Sequence, residues 1–230
     1  MTRWPPQSAR RLAMDASAIA MTEFALVLPV ILLLGMTGAE MINYSTTKMR
    51  MSQIALQVAD NASRMGVGTV AGPKSISETN INDVFTGAQL ESGSLDVLTN
   101  AKIILSDLEI DTANSTANTT KYMIKWQRCY GNKPHASSFG IAPPSTGNPN
   151  NYTAQNYNNL NGIGPANQLV TTQSGNATMF VEIYYAYKPL FTSKLLPSTT
   201  FDETASMAVR DQRDLTQIYN AENVTPSWCP

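Results

Sequence analysis

Ala20-Met-Thr-Glu-Phe-Ala-Leu-Val-Leu-Pro-Val-Ile-Leu-Leu-Leu-Gly35 is the stretch that decides how this chain is read. Extended to Ile19 and Ala39, it makes about 21 residues. That is roughly 31 Å of helix at 1.5 Å per residue, enough to cross the hydrocarbon core of a bilayer. Glu23 stands near its front end. A charged side chain costs about 2.5–3.5 kcal/mol at the centre of a membrane helix and less near the interface, so a carboxylate there asks for a role. Pro29 removes one backbone donor, which a membrane helix tolerates with a kink. A secretory signal has a shorter apolar region followed by its small-residue cleavage site. Here the small residues Ala13, Ala16, Ser17 and Ala18 come first. Cleavage on that side leaves the helix attached.

The helical pattern continues beyond the apolar run. Met51, Ile54, Ala55, Val58, Ala62 and Met65 recur at spacings of three and four, one face of a helix. Gln53, Gln57, Asp60, Asn61 and Arg64 lie largely off that face. Gly66, Gly68 and Gly72-Pro73 end it. The expected organisation is therefore a leader at 1–18, a transmembrane or assembly helix at 19–40, an amphipathic continuation at 41–66, and an exported domain at 73–230.

Charge agrees with that layout. The chain of 230 residues carries 16 basic and 17 acidic side chains, a net of -1. Arg3, Arg10, Arg11 and Asp15 fall before Ile19, leaving 13 basic against 16 acidic, a net of -3, for the rest. The basic end belongs on the cytoplasmic side and the remainder outside, in a periplasm if the cell is bacterial. With only 14% charged residues there is no clustered basic patch for nucleic acid. Cys129 and Cys229 both fall in the exported part, where an even pair is most simply a disulfide and otherwise two unrelated thiols.

The exported part reads as α+β. Asn80 to Leu90 suits a short helix. Ala101–Ile110, Lys121–Tyr130 and Thr178–Tyr187 read as strands, with Thr204–Arg210 as a fourth. In the second strand, strict alternation puts Tyr122, Ile124 and Trp126 on one face. Thr112–Thr120 fits a hairpin tip. These elements predict a four-stranded antiparallel sheet with the long helix packed across one face. The segment 131–176 is too long for an ordinary loop and is rich in Asn, Gly, Pro and Tyr. Its composition favours a lightly pinned insertion over an adhesive contact loop.

No catalytic constellation stands out. The lone His135 sits in a loop context, and metal binding is disfavoured without close Cys or His spacing. Asp107, Glu109 and Asp111 alternate along a strand end in a pattern that suits a cation but lacks the calcium-loop spacing and glycine; an exposed strand edge explains them as well. No cofactor and no small-molecule substrate is indicated, and an enzyme is the least favoured class.

The pattern resembles the TadE-like minor pilins, or pseudopilins, of the tight-adherence (Flp) pilus system. The resemblance rests on Thr22-Glu-Phe-Ala-Leu-Val-Leu-Pro-Val30, on Glu40 after the apolar run, and on Ala59-Asp-Asn-Ala-Ser-Arg64. Val181-Glu-Ile-Tyr-Tyr-Ala-Tyr-Lys-Pro-Leu190 and Glu203-Thr-Ala-Ser-Met-Ala-Val-Arg210 are similar to the family's closing strands. The resemblance implies processing by a prepilin peptidase. With the glutamate fifth in the mature chain, the cut falls between Ala18 and Ile19, with Glu23 and Phe24 following; Ala18 stands where family leaders often carry Gly. It also implies partners among other pilins and the pilus platform proteins, in a single-pass protein of a bacterial inner membrane. Separately, a new amine at Ile19 paired with a neighbouring subunit's Glu23 would neutralise both charges and make Glu23 an assembly residue, against the alternative that Glu23 snorkels to the headgroups; Glu40, where the helix leaves the membrane, is the weaker assembly candidate. The competing expectation is a single-pass anchor, uncleaved, holding an envelope binding domain.

Overall fold

The computed structural model describes residues 16–68, 72–143, 157–191, 194 and 196–229. The expected leader therefore lies outside the described residues up to residue 15, as does the middle of the 131–176 segment. The order of elements is α1 (Ala16–Arg64), α2 (Glu78–Ser92), a 3-10 turn (Gly93–Leu95), α3 (Val97–Asn100), then β1 (Ala101–Ile110), β2 (Tyr122–Tyr130), β3 (Thr178–Ala186) and β4 (Thr200–Ala208). The chain divides into two compact units. One holds the chain through Ser45 together with Pro189–Pro197; the other holds Thr46–Lys188 and Ser198–Pro230.

In the second unit the sheet is antiparallel throughout, in the order β2-β1-β3-β4. The fold is α+β, a long N-terminal helix packed on a four-stranded sheet. β1 is central, and eight of its ten residues are buried on both faces. One face carries Ile103, Leu105, Val181, Ile183 and Phe201, and the register places them side by side. Against it lies the amphipathic part of α1, whose Met51, Ile54, Ala55, Val58, Ala59 and Ala62 are buried. Phe85 of α2 stacks on Tyr130 with ring centroids 5.6 Å apart.

The end of α1 is set by two devices. Gly66 adopts φ 115°, where a Cβ would stand 2.9 Å from the Ser75 carbonyl oxygen. Only glycine takes that conformation cheaply. Buried Arg213 donates Nη1 to the Ala62 carbonyl at 3.2 Å, and Nη2 to those of Ser63 at 3.0 Å and Met65 at 2.8 Å. These are carbonyls that a helix C-terminus leaves without intrahelical donors, and a cation there also suits the helix dipole. α2 opens on a capping box. The Asn80 amide donates to Ser77 Oγ at 3.4 Å, and the Ser77 amide donates to Asn80 Oδ1 at 3.0 Å.

Three expectations about strand bounds, facing and the covering segment need correction. The fourth strand begins four residues earlier than the apolar pattern suggested, at Thr200, with Phe201 opposite Tyr185. Trp126 does not share a face with Tyr122 and Ile124. A bulge pairs Leu108 with Ile124 but Asp107 with Trp126, so Lys125 is the extra residue and Trp126 turns to the helix side. Third, the flanks of the 131–176 segment are not lightly pinned. Ala142 and Ile163 are fully buried with Leu108, Ile124 and Phe180, and Phe139, Tyr157, Leu160 and Val170 pack on that cluster. These flanks cover the sheet face opposite the helices. Residues 144–156, the Asn-rich part, lie outside the described residues.

Candidate functional site

Within the unit that holds the apolar helix, no residue of that segment is buried. Phe24, Leu26, Val30, Ile31, Leu32, Leu33 and Leu34 are all exposed. So much contiguous apolar surface is unstable in water and calls for lipid or another protein. The helix is long and apolar enough to cross a membrane. Pro29 lies inside it without ending it. Thr22 Oγ1 donates to the Ile19 carbonyl at 2.8 Å, one turn before Glu23.

The residues expected to serve processing and assembly divide in two. Ile19, Glu23 and Phe24 all lie on the exposed helix, and the Ala18–Ile19 bond falls in its first turns. The Ala18 side chain lies outside the described ones. Glu23 makes no hydrogen bond or ion pair among the described residues, so its carboxylate is available to another molecule. Glu40 differs. It is 1% exposed, and its Oε2 accepts a hydrogen bond from the Phe191 amide at 2.8 Å. It binds its own chain.

In the sheet unit, Cys129 and Cys229 form the expected disulfide, with Cα atoms 4.8 Å apart across a sequence separation of 100. The bond packs on Ile104, and the Cys129 amide donates to the Ser227 carbonyl at 2.8 Å. The C-terminal segment is thereby pinned along β2. Beside it the Arg128 guanidinium pairs with both oxygens of Glu78, Nε reaching Oε2 at 3.0 Å. It also lies 4.1 Å over the Trp228 ring. Charged groups this buried persist when paired and hydrogen-bonded. Sequence reasoning missed the pair because its partners are 50 residues apart.

A cleft of 330 Å³ opens between β2 and the segment 214–228, lined in part by Asp107, Lys125, Trp126 and Trp228. Asp107 is buried on the central strand, not on an exposed edge as expected. Burial first, then the neighbouring Glu109 carboxyl, pushes its acidity well above the ordinary range; the Arg213 charge and a hydrogen bond from Trp126 oppose this. Glu109 is raised as well, chiefly by burial. Asp107 Oδ1 and Glu109 Oε1 have no hydrogen-bond partner among the described residues. Asp111 caps the hairpin instead, accepting from the Asn114 side chain at 2.6 Å and the Asn159 amide at 2.9 Å.

His135 is a loop residue stacked on Tyr184 with centroids 4.3 Å apart. Neighbouring Glu182 accepts from Ser137 Oγ and from the Ser138 amide, and burial raises it. Both groups pin the covering segment to the sheet. Among the described residues no group of three acidic, His or Cys side chains is placed to hold a metal. Comparison with protein families, characterised proteins and solved structures finds no match for this chain.

Proposed function

We propose that the chain is a membrane-anchored filament subunit of the minor-pilin type, working by assembly rather than catalysis. A prepilin peptidase would cut between Ala18 and Ile19 and leave the helix in the bilayer. The single-pass protein would hold its sheet domain in the periplasm of a bacterium before joining a tight-adherence-type pilus. Its partners are then the peptidase, other pilins and the platform proteins.

One observation carries this reading. The apolar helix segment has no buried residue and presents a single carboxylate, Glu23, that no described group engages. The cut would create an α-amino group at Ile19, positive at neutral pH with a pKa of about 7.7–8.0. In a low-dielectric filament core, an amine from one subunit and a carboxylate from the next each need a partner. Pairing them neutralises both charges and fixes the axial step between subunits.

A second reading has its own observation. The cleft beside Trp126 and Trp228, with Asp107 Oδ1 unpaired in its wall, suits an uncleaved anchor whose domain binds an envelope ligand. The mass of the intact chain extracted from membranes separates the two. A mature start at Ile19 is the expected result. A start at Met1 would leave a plain anchor and favour the cleft. A start beyond Ala39 would refute both readings.

A further inference from the structure

The segment Pro189-Leu190-Phe191 belongs to the same compact unit as the apolar helix. Its backbone is tied there by the bond from the Phe191 amide to buried Glu40. That bond sets Phe191 level with the helical turn just beyond Ala39, where the apolar run ends. At this level the apolar side chains do not turn inward. Leu190 is 58% and Phe191 52% exposed, and on the helix Ile42 is 70% exposed, with Met41 exposed beside it. A buried carboxylate that holds a Leu-Phe pair out into water at one fixed height works against the hydrophobic effect. It is sensible only if something apolar meets the pair there.

We propose that Leu190 and Phe191, with Met41 and Ile42, form a collar that enters the outer headgroup region of the bilayer the helix spans. The collar rests on the membrane-anchor reading and extends it by a second lipid contact from a distant part of the sequence. A lipid surface is the occupant because the patch is continuous with the spanning helix at the depth where that helix leaves the hydrocarbon. Phe and Leu side chains facing a membrane surface bury into the boundary between headgroups and acyl chains. Glu40 is then a positioning residue, fixing how far the helix sinks.

The test is depth-dependent quenching on the full chain in vesicles of phosphatidylcholine and phosphatidylglycerol. Both native cysteines are in the disulfide, so a single introduced cysteine takes an environment-sensitive fluorophore. A label at Leu190→Cys should emit to the blue, be quenched by nitroxides near the lipid headgroup, and resist aqueous iodide. Glu40→Leu in that background should return it to the behaviour of a label at Leu90→Cys, a site on exposed α2 surface. A position-190 label quenched by iodide as strongly as the one at position 90 overturns the collar. So does a label shielded from both quenchers in a manner lost on diluting the protein, which would place a second copy there. A label at Leu32→Cys keeps the readings apart. If deep nitroxides quench it while position 190 stays wet, the collar alone fails. If they do not, the anchor fails and the collar with it.

Discussion

Replacing both Cys129 and Cys229 by alanine removes the one covalent tie between β2 and the C-terminus. The closed loop spans a sequence separation of 100. In the chain-entropy model such a loop is worth about 4.7 kcal/mol at 25 °C, drawn from the unfolded state; native bonds removed from small secreted domains cost about 2–5 kcal/mol. For a domain of this size each kcal/mol lowers the melting temperature by about 2–4 °C, so a fall of roughly 4–20 °C is expected. Alanine is the right replacement because the sulfurs pack on Ile104, and serine would add a buried hydroxyl. The assay is thermal unfolding of the full chain in detergent, followed by near-ultraviolet circular dichroism. Reductant on the native chain should reproduce most of the shift. The structure also says where the native state loosens. The Cys129 amide, bonded to Ser227, should exchange faster with solvent. The Tyr219 amide, which donates to the Ile76 carbonyl at 2.9 Å, should not, because Arg213 and the pairing of Lys74 with 212–214 hold that part independently. Superimposable melts with and without the bond would refute the reasoning.

Other perturbations test other parts of the structure. Glu23→Gln should leave the protein in the membrane yet stop its incorporation into filaments; normal piliation by electron microscopy would remove the register role. Arg128→Met should cost about 3–5 kcal/mol in denaturant titration by stranding the buried Glu78 carboxylate, while Arg128→Met with Glu78→Leu should recover part of it. Arg213→Ala should cost about 2–4 kcal/mol, since three charge-assisted bonds to the end of α1 are lost and water re-solvates some of those carbonyls; a loss under 0.5 kcal/mol would mean the cap is dispensable. Asp107 and Glu109 are raised in the folded chain, so above the ordinary Asp value of about 3.9 the folded state keeps protons that the unfolded state has released, and stability falls as pH rises through that window. Asp107→Asn should flatten this slope, and an unchanged slope would show that Asp107 is not its source.

The parts of the fold that could be read from the sequence are those governed by local period. Spacing of three and four from Met51 to Met65 marked the buried helix face, because a helix buries one stripe whatever it packs against. β1 is legible to the residue because its apolar core, Ile103-Ile104-Leu105 with Leu108 and Ile110, is β-branched or aliphatic and is bounded by Asn100 and Asp111. Trp126 was misplaced because one extra residue in β2 reverses every later side chain, and neither strand's sequence announces a bulge. Asp107 and Glu109 look like an edge for a related reason: alternation finds a strand but not its neighbours, and a central strand carrying two acids looks like an edge until the pairing is known.

The covering segment shows a different limit. Its average composition is that of a chain unable to bury apolar area, yet its described flanks carry anchors at wide, irregular intervals: Phe139, Ala142, Tyr157, Leu160, Ile163 and Val170. A loop with no regular period can still cover a sheet if each anchor meets a pocket and its polar groups find partners. Gln127 Nε2 donating to Ser106 Oγ at 2.8 Å and to the Gly140 carbonyl at 3.3 Å, and Lys102 Nζ donating to the Gly131 carbonyl at 3.1 Å, supply some of those partners. These residues are polar in the sequence and buried in the structure, so a reading that equates polar with exposed discards the contacts that hold the segment down. At the candidate site the two expected assembly carboxylates differ in burial and bonding: Glu23 lies on the exposed helix, while Glu40 is buried and accepts a hydrogen bond from the Phe191 amide, a difference that residue type and sequence spacing do not carry.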